Sequence, residues 1–270
     1  NPAAPMKLTF LGTGTSHGVP PIDCMMRGYA KCPKGVCLKS QADPRHERTR
    51  TSILLEKAGR TLIADVSADF RRQALRAGIR KIDAVALSHG HIDHFGGLPD
   101  IRSYTDAAEE PLDVYGSRET LNTVRQAFPY MFEARAGRGR GVPRLRMVEL
   151  AAPCGVAGFS VTPVPVAHGS LKECLGLRID NIGYVPDVKN MSAESEGLLR
   201  GLDCLALNCL RDQREHPTHM LLEQSMELAR RLAPKRCYFI HMTHDIDYEV
   251  DGKRLDPWME FAHDGLVIDV

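Results

Sequence analysis

Short apolar runs separated by turn residues dominate the chain, and helical periodicity is confined to a few segments. Lys7 to Leu11 reads as a strand ending in the tight polar loop Gly12-Thr-Gly-Thr-Ser16. Ser52 to Glu56 and Thr61 to Val66 read as two strands joined by Lys57-Ala-Gly-Arg60, a hairpin signal. Further strands are predicted over Ala84 to Leu87, Leu112 to Tyr115, Arg146 to Leu150, Phe159 to Val164, Leu175 to Ile179, Ile182 to Val185, Cys204 to Asn208 and Cys237 to Ile240. Asp69 to Ala77, Arg118 to Ala127 and Ser192 to Leu199 read as helices. Leu222, Met226, Ala229 and Ala233 recur at helical spacing, which predicts an amphipathic helix over 221–232. Strands in both halves, punctuated by helices, predict an α/β domain of two sheets covered by helices.

Two stretches fall outside this pattern. Residues 17–50 are long, Cys-bearing and rich in Lys, Arg and Pro, and a loop of that length needs something such as a metal to pin it. Residues 135–146 carry Arg135, Arg138, Arg140, Arg144 and Arg146 among glycines and read as a mobile basic loop. The 270 residues are 43% hydrophobic and 26% charged, ordinary for a globular protein. One domain over 6–270, with a Cys-bearing insert at 17–50, follows a tail at 1–5. A net charge of +1 gives no global attraction for nucleic acid or an anionic membrane. No apolar run approaches the roughly 18 residues of a membrane span, and the first residues lack the features of a signal peptide. The eight cysteines are unevenly spread, with Cys24, Cys32 and Cys37 clustered. That fits a reducing cytoplasm and a metal cluster better than a disulfide framework.

The candidate chemistry lies directly after the buried run Ala84 to Leu87. Three of the 11 histidines fall within six residues, with His89, His91, Asp93 and His94 together. In extended chain, residues 89 and 91 share a face. Asp93 and His94 can then turn toward a second ion. Imidazole suits Zn, Mn or Fe, and a carboxylate adds a harder ligand. Further ligands are at hand. His168 follows Val161 to Val166, Asp187 follows Ile182 to Val185, and His241 follows Cys237 to Ile240. Each sits just past an apolar strand, where a sheet presents side chains to a common edge.

Together with Phe10-Leu-Gly-Thr-Gly-Thr-Ser16, Gly18-Val-Pro20, Arg48-Thr-Arg-Thr-Ser52, His168-Gly169, His216-Pro-Thr-His219, Lys235-Arg236 and His241-Met-Thr-His244, this motif resembles the metallo-β-lactamase superfamily. The resemblance is closest to its PhnP-like branch, the phosphoribosyl 1,2-cyclic phosphate phosphodiesterases. It implies a four-layer αββα sandwich with the site at the sheet edge. It implies His89, His91 and His168 on one divalent ion, Asp93, His94 and His241 on another, and Asp187 bridging, with Mn, Zn or Fe as the metal. It also implies a structural zinc. The branch usually shows a compact Cys-x-Cys-x-x-Cys after Gly-Val-Pro, and here the spacing is stretched to Cys24, Cys32 and Cys37. With His244 these make a Cys₃His set, a common closed zinc site. Branch members are often dimers, so a homodimer is the assembly the resemblance points to.

The activity this implies is hydrolysis of a small cyclic phosphodiester, such as 5-phosphoribosyl 1,2-cyclic phosphate. A hydroxide bridging two ions roughly 3.5–4 Å apart would attack phosphorus, with Asp93 among the groups that hold it. His219 is the candidate general acid for the sugar alkoxide, because imidazole titrates near neutral pH. Thr15, Ser16 and His17 are expected to contact substrate, and Thr13 to line the pocket. His216 either orients its loop or has no role. Arg48 and Arg50 are read as holding either the loop or a phosphate. Asp65 either supports the metal histidines or caps the helix at Asp69. The arginines at 135–146, and more weakly Lys172, could clamp a second phosphate or lie in a solvated loop. Three rival readings are a tRNase Z-like nuclease, a thioesterase or lactonase, and a metal-binding scaffold without turnover.

Overall fold

The structure, a computed structural model, describes residues 5–106, 108–132 and 141–270. Among the described residues, fourteen strands form two sheets. The first half supplies β1 (Met6–Gly12), β2 (Ser52–Lys57), β3 (Arg60–Ala64), β4 (Ala84–Ala86), β5 (Leu112–Gly116) and β6 (Leu145–Glu149). The second supplies β7 (Cys154–Val156), β8 (Phe159–Pro165), β9 (Leu175–Ile179), β10 (Ile182–Val185), β11 (Cys204–Asn208), β12 (Arg236–Ile240) and β13 (Met259–Phe261). The last strand, β14 (Val267–Asp269), returns to pair with β1 in the first sheet. The orders are β14-β1-β2-β3-β4-β5-β6 and β13-β12-β11-β10-β9-β8-β7.

Period-two alternation sorts the strand side chains into layers. In β2, Ile53 and Leu55 face the space between the sheets, and Leu54 faces the outer side. In β11, Cys204 and Ala206 face inward, and Leu205 and Leu207 outward. The central core joins Leu8, Phe10 and Leu62 of one sheet to Leu177, Ile179 and Ile240 of the other. Helices cover both outer faces. The insert holds α1 (Ile22–Met26) and α2 (Val36–Lys39). The first sheet carries α3 (Phe70–Ala77), α4 (Ile92–Phe95), α5 (Arg102–Thr105) and α6 (Arg118–Ala127). The second carries α7 (Ala193–Leu198) and α8 (Leu222–Leu232). This is the αββα sandwich. No helix among the described residues is long and apolar enough to cross a membrane.

Lys57 and Arg60 pair with each other, so the hairpin turns on Ala58-Gly59 alone. Both carry positive φ, 48° and 73°, as a type I′ turn requires. The helix read from Asp69 starts at Phe70, because the Asp69 carboxylate accepts the Arg50 N–H and guanidinium instead of capping. Arg48 is 1% exposed, and its guanidinium donates to the carbonyls of Thr243 and Ile246 at 2.6 and 2.8 Å. It therefore ties the insert to the segment after β12 and is not free for a phosphate. Of the basic loop at 135–146, Arg135, Arg138 and Arg140 lie outside the described residues. Arg144 donates to the carbonyls of Glu109 and Thr105, and Arg146 pairs with Asp113, so these two brace the surface around β5.

Candidate active site

Strand direction decides where the chemistry gathers. β8, β10, β11 and β12 run the same way in the second sheet, and β3 and β4 run parallel in the first. Their C-terminal ends deliver His168, Asp187, Asn208, His241, Asp65 and His89 to one shared edge. After β4 the chain stays extended through His91 (φ −84°, ψ 142°) and then turns into α4, which brings Asp93 and His94 round to the same side. The turn packs tightly: a Cβ on Gly97 would lie 2.1 Å from the Ser67 carbonyl oxygen. Asp65 and His241 both adopt left-handed backbone, at φ 60° and 61°. Such conformations cost on the order of 1–3 kcal/mol each and cluster at functional sites.

The seven side chains meet in two groups. His89 Nε2 lies 2.9 Å from His91 Nδ1, and His168 Nε2 lies 3.3 Å from the same atom. His94 Nε2 lies 3.3 Å from Asp93 Oδ2, and His241 Nε2 3.6 Å from it. Asp187 stands between them. Its Oδ2 is 3.0 Å from His89 Nε2 and 2.9 Å from His94 Nε2, and its Oδ1 is 3.1 Å from His241 Nε2. Neighbouring groups assign the tautomers. His168 Nδ1–H donates to the Thr218 carbonyl at 2.9 Å, and His94 Nδ1–H donates to Asp65 Oδ2 at 2.7 Å. Ser88 Oγ–H donates to Asp65 Oδ2 at 2.7 Å and so accepts from His89 Nδ1–H at 3.0 Å. The Nε2 lone pairs of His89 and His168 are thereby turned toward Asp187 Oδ2, at 3.0 and 3.9 Å, which is unfavourable unless a cation lies between them. His94 Nε2, His241 Nε2 and Asp187 Oδ1 are buried without a hydrogen-bond partner among the described residues. These orphaned atoms fit divalent cations.

The field of the site agrees. Burial lowers the pKa of His89, His91 and His168, so they are neutral and able to coordinate. Burial also disfavours charge on His94, but Asp93, Asp187 and Asp65 overcome it and hold the ring well above its ordinary value. Burial opposes ionisation of Asp187 too, and His241, His94 and His89 drive its carboxyl well below the usual range. Carboxylates concentrated this way attract positive charge. Asp65 is thus committed to the centre: it also accepts from Ser88 N–H at 2.8 Å and from the Tyr184 hydroxyl at 2.8 Å.

His219 joins the cluster, with Nδ1 3.3 Å from both Asp187 Oδ1 and Asn208 Nδ2. Asn208 Oδ1 accepts from Met220 N–H, which fixes its amide so that Nδ2–H donates to His219 Nδ1. The His219 proton is then on Nε2. Burial pushes His219 down to about 2, with Asp187 opposing. His216 accepts from Thr218 N–H at 3.3 Å and holds the loop whose Thr218 carbonyl fixes His168. Beside His219 opens a cavity of 760 Å³, lined by Thr15, Ser16 and His17 among others. Thr13 is buried away from it, bonded to Asp264. The backbone N–H of Lys172 is tied to Glu119. Sequence reasoning gave no role to Ser88, Tyr184 or Asn208. Asn208 obeys the rule that found Asp187, a polar residue closing an apolar strand. Tyr184 carried no signal, since a tyrosine within such a strand reads as core.

A second cluster lies in the insert. Cys24, Cys32, Cys37 and His244 place their ligand atoms within 4.8 Å of one another. His244 Nδ1 is 3.2 Å from Cys37 Sγ and 3.8 Å from Cys32 Sγ. Burial raises the thiol pKa of Cys37, and the Cys32 and Cys24 sulfurs raise it further. Burial raises Cys24 as well, and thiols raised this way stay protonated unless a cation stabilises the thiolates.

Four layers with a His/Asp centre at their shared edge define a metallo-β-lactamase-fold hydrolase, a class that works with divalent metal ions. Residues 60–242 match the beta-lactamase superfamily domain. The crystal structure of a diphosphatase from the PhnP family superposes with a TM-score of 0.86 at 34% identity, covering 98% of both chains. The chain belongs to the metallo-β-lactamase superfamily and, within it, to the PhnP family. It is also 35% identical to an octanoyltransferase of Porphyromonas gingivalis, over 97% of this chain but 51% of that protein, so it spans about half the length of that relative. Coenzyme PQQ synthesis protein B of Xanthomonas oryzae is 27% identical over 97% of this chain and 99% of its own.

Proposed function

We propose that the protein is a metal-dependent phosphodiesterase acting on a small cyclic phosphodiester, such as 5-phosphoribosyl 1,2-cyclic phosphate. The observation that carries this reading is Asp187, whose two oxygens face the two histidine groups at once. That arrangement suits a pair of ions, with His89, His91 and His168 holding one, Asp93, His94 and His241 the other, and Asp187 both. Bound there, divalent ions would polarise a phosphoryl oxygen and make a water nucleophilic near neutral pH. Mn, Zn and Fe all suit a donor set of imidazoles and carboxylates. The similarity to a PhnP-family diphosphatase supports phosphate chemistry.

The chain's own residues do the rest. Asp65, Ser88 and Thr218 hold the coordinating rings in one tautomer, so no reorganisation is needed when substrate arrives. His219 presents Nε2–H to the leaving oxygen. An anionic substrate beside it counters its lowered pKa, since negative charge favours imidazolium. Thr15, Ser16 and His17 line the way in. The Cys24, Cys32, Cys37 and His244 set holds a structural zinc that orders the insert.

The test is turnover by protein loaded with Mn or with Zn. Hydrolysis of bis(p-nitrophenyl) phosphate and of 2′,3′-cyclic nucleotides, without hydrolysis of thioesters, is expected. Thioester hydrolysis alone, or cleavage of a pre-tRNA trailer in preference to the small esters, would overturn the reading. Metal analysis separates the two clusters: His91→Ala should lose catalytic metal and keep zinc, and Cys32→Ala should lose zinc.

A further inference from the structure

The cavity beside His219 is far larger than a phosphoryl group requires. At 760 Å³ it falls in the range of roughly 300–1,000 Å³ that encloses whole organic ligands. Its walls differ in character. In its lining, Arg211 donates through Nε to the Arg214 carbonyl at 2.7 Å and through Nη2 to the Glu215 carbonyl at 3.0 Å. Those bonds fix the plane of the guanidinium. Among the described residues no carboxylate pairs with it, and Nη1 is unengaged. Arg214 lines the same cavity, and the carboxylate it meets, Asp245, stands 3.7 Å away. The other acid of the lining, Asp23, faces Arg27 at 4.0 Å. The same cavity is lined by Ile22 and Met26 of α1, 73% and 75% exposed and one helical turn apart, and by Leu210.

We propose that this cavity is the binding site for the non-scissile arm of the substrate, and that the arm is nucleotide-like: a flat base against Ile22 and Met26, and an anionic phosphate on Arg211 and Arg214. The proposal rests on the phosphodiesterase reading for the bond that is cleaved, and within that reading it shifts the favoured substrate from 5-phosphoribosyl 1,2-cyclic phosphate, which has a 5-phosphate but no base, to phosphodiesters whose arm carries both. The chemistry of the lining suits both parts of such an arm. A fixed guanidinium fork suits phosphate oxygens. A methionine thioether makes favourable contact with a heteroaromatic ring.

Calorimetric titration of the Mn-loaded protein with AMP, adenosine and ribose 5-phosphate tests it. AMP should bind at least tenfold more tightly than either of the others. Arg211→Ala/Arg214→Ala should bring AMP down to the level of adenosine. Ile22→Asp/Met26→Asp should bring it down to the level of ribose 5-phosphate, with the melting temperature unchanged because both side chains are exposed. If AMP binds no better than ribose 5-phosphate, the base site does not exist. If the advantage of AMP survives loss of both arginines, its phosphate sits on the metal centre and the proposal is overturned. A protein that shows this binding pattern but hydrolyses no phosphodiester would refute the assigned reaction and leave the site standing.

Discussion

Asp65 accepts hydrogen bonds from His94, Ser88 and Tyr184, and so one carboxylate couples the His94 ring in the first sheet to a tyrosine in the second. Tyr184→Phe removes only the hydroxyl. Loss of such a supporting partner typically weakens metal affinity about 10–100-fold, and chelator competition should show a change of that size with the fold retained. His219 is tested by choice of leaving group. p-Nitrophenolate needs no proton, whereas a sugar alkoxide does. His219→Ala should therefore slow hydrolysis of 2′,3′-cyclic nucleotides by about 10²–10⁴-fold and that of bis(p-nitrophenyl) phosphate much less. Equal losses on both would place the ring in orientation, not proton transfer. At this scale the metal-binding candidates were legible because unlike chemistry, histidine and aspartate, interrupts apolar runs. Their supports were not, since Ser88 and Tyr184 matter through contacts across the fold, and the role of Asp65 stayed undecided between a metal support and a helix cap until those contacts were visible.

The insert shows what periodicity does and does not reveal. Its helices α1 and α2 have five and four residues, too short to display a repeat, and ion pairs hold it in place. Lys39 pairs with Asp247, whose side chain is fully buried, and Lys34 bonds both oxygens of Asp251 at 2.8 Å. Burial disfavours charge on Asp247, but the Lys39 ammonium and the N–H groups of Val250 and Glu249 outweigh it and keep the carboxyl below its ordinary value. An acid depressed in the folded state contributes stability that is complete above its unfolded pKa, about 3.9. That contribution is lost as pH falls through the lower folded value. Unfolding followed below about pH 4 should show this loss in the parent protein. Lys39→Met, which strands the carboxylate, should destabilise by about 1–2 kcal/mol, between an exposed and a fully buried pair. Zinc removal should expose residues 17–50 to protease before the rest of the chain. Strands β7, β13 and β14, of three residues each at or near sheet edges, escaped the pattern for the same reason as the small helices. Strands with four or more alternating or apolar positions were readable.

Across the whole molecule, the two sheets share the centre: His89, His91, Asp93 and His94 come from the first, and His168, Asp187 and His241 from the second. Cations bound there clasp the layers together. At a free metal concentration 100 times Kd the gain is about 2.7 kcal/mol, so the melting temperature should rise with added Mn or Zn. Asp187→Ala should abolish most of that rise. The layered architecture was legible because the apolar pattern demands two sheets each covered by helices, and the histidine motif supplied the kinship. The pairing order and the long return of β14 to β1 are set by tertiary packing that no local window contains. The same division of the centre bears on biosynthesis. While the ribosome is still adding the second sheet, His89, His91, Asp93 and His94 have no partners, and His241 emerges after all the others of the centre. A half-made chain is thus silent, and activity arrives in a single step once both layers have closed on each other.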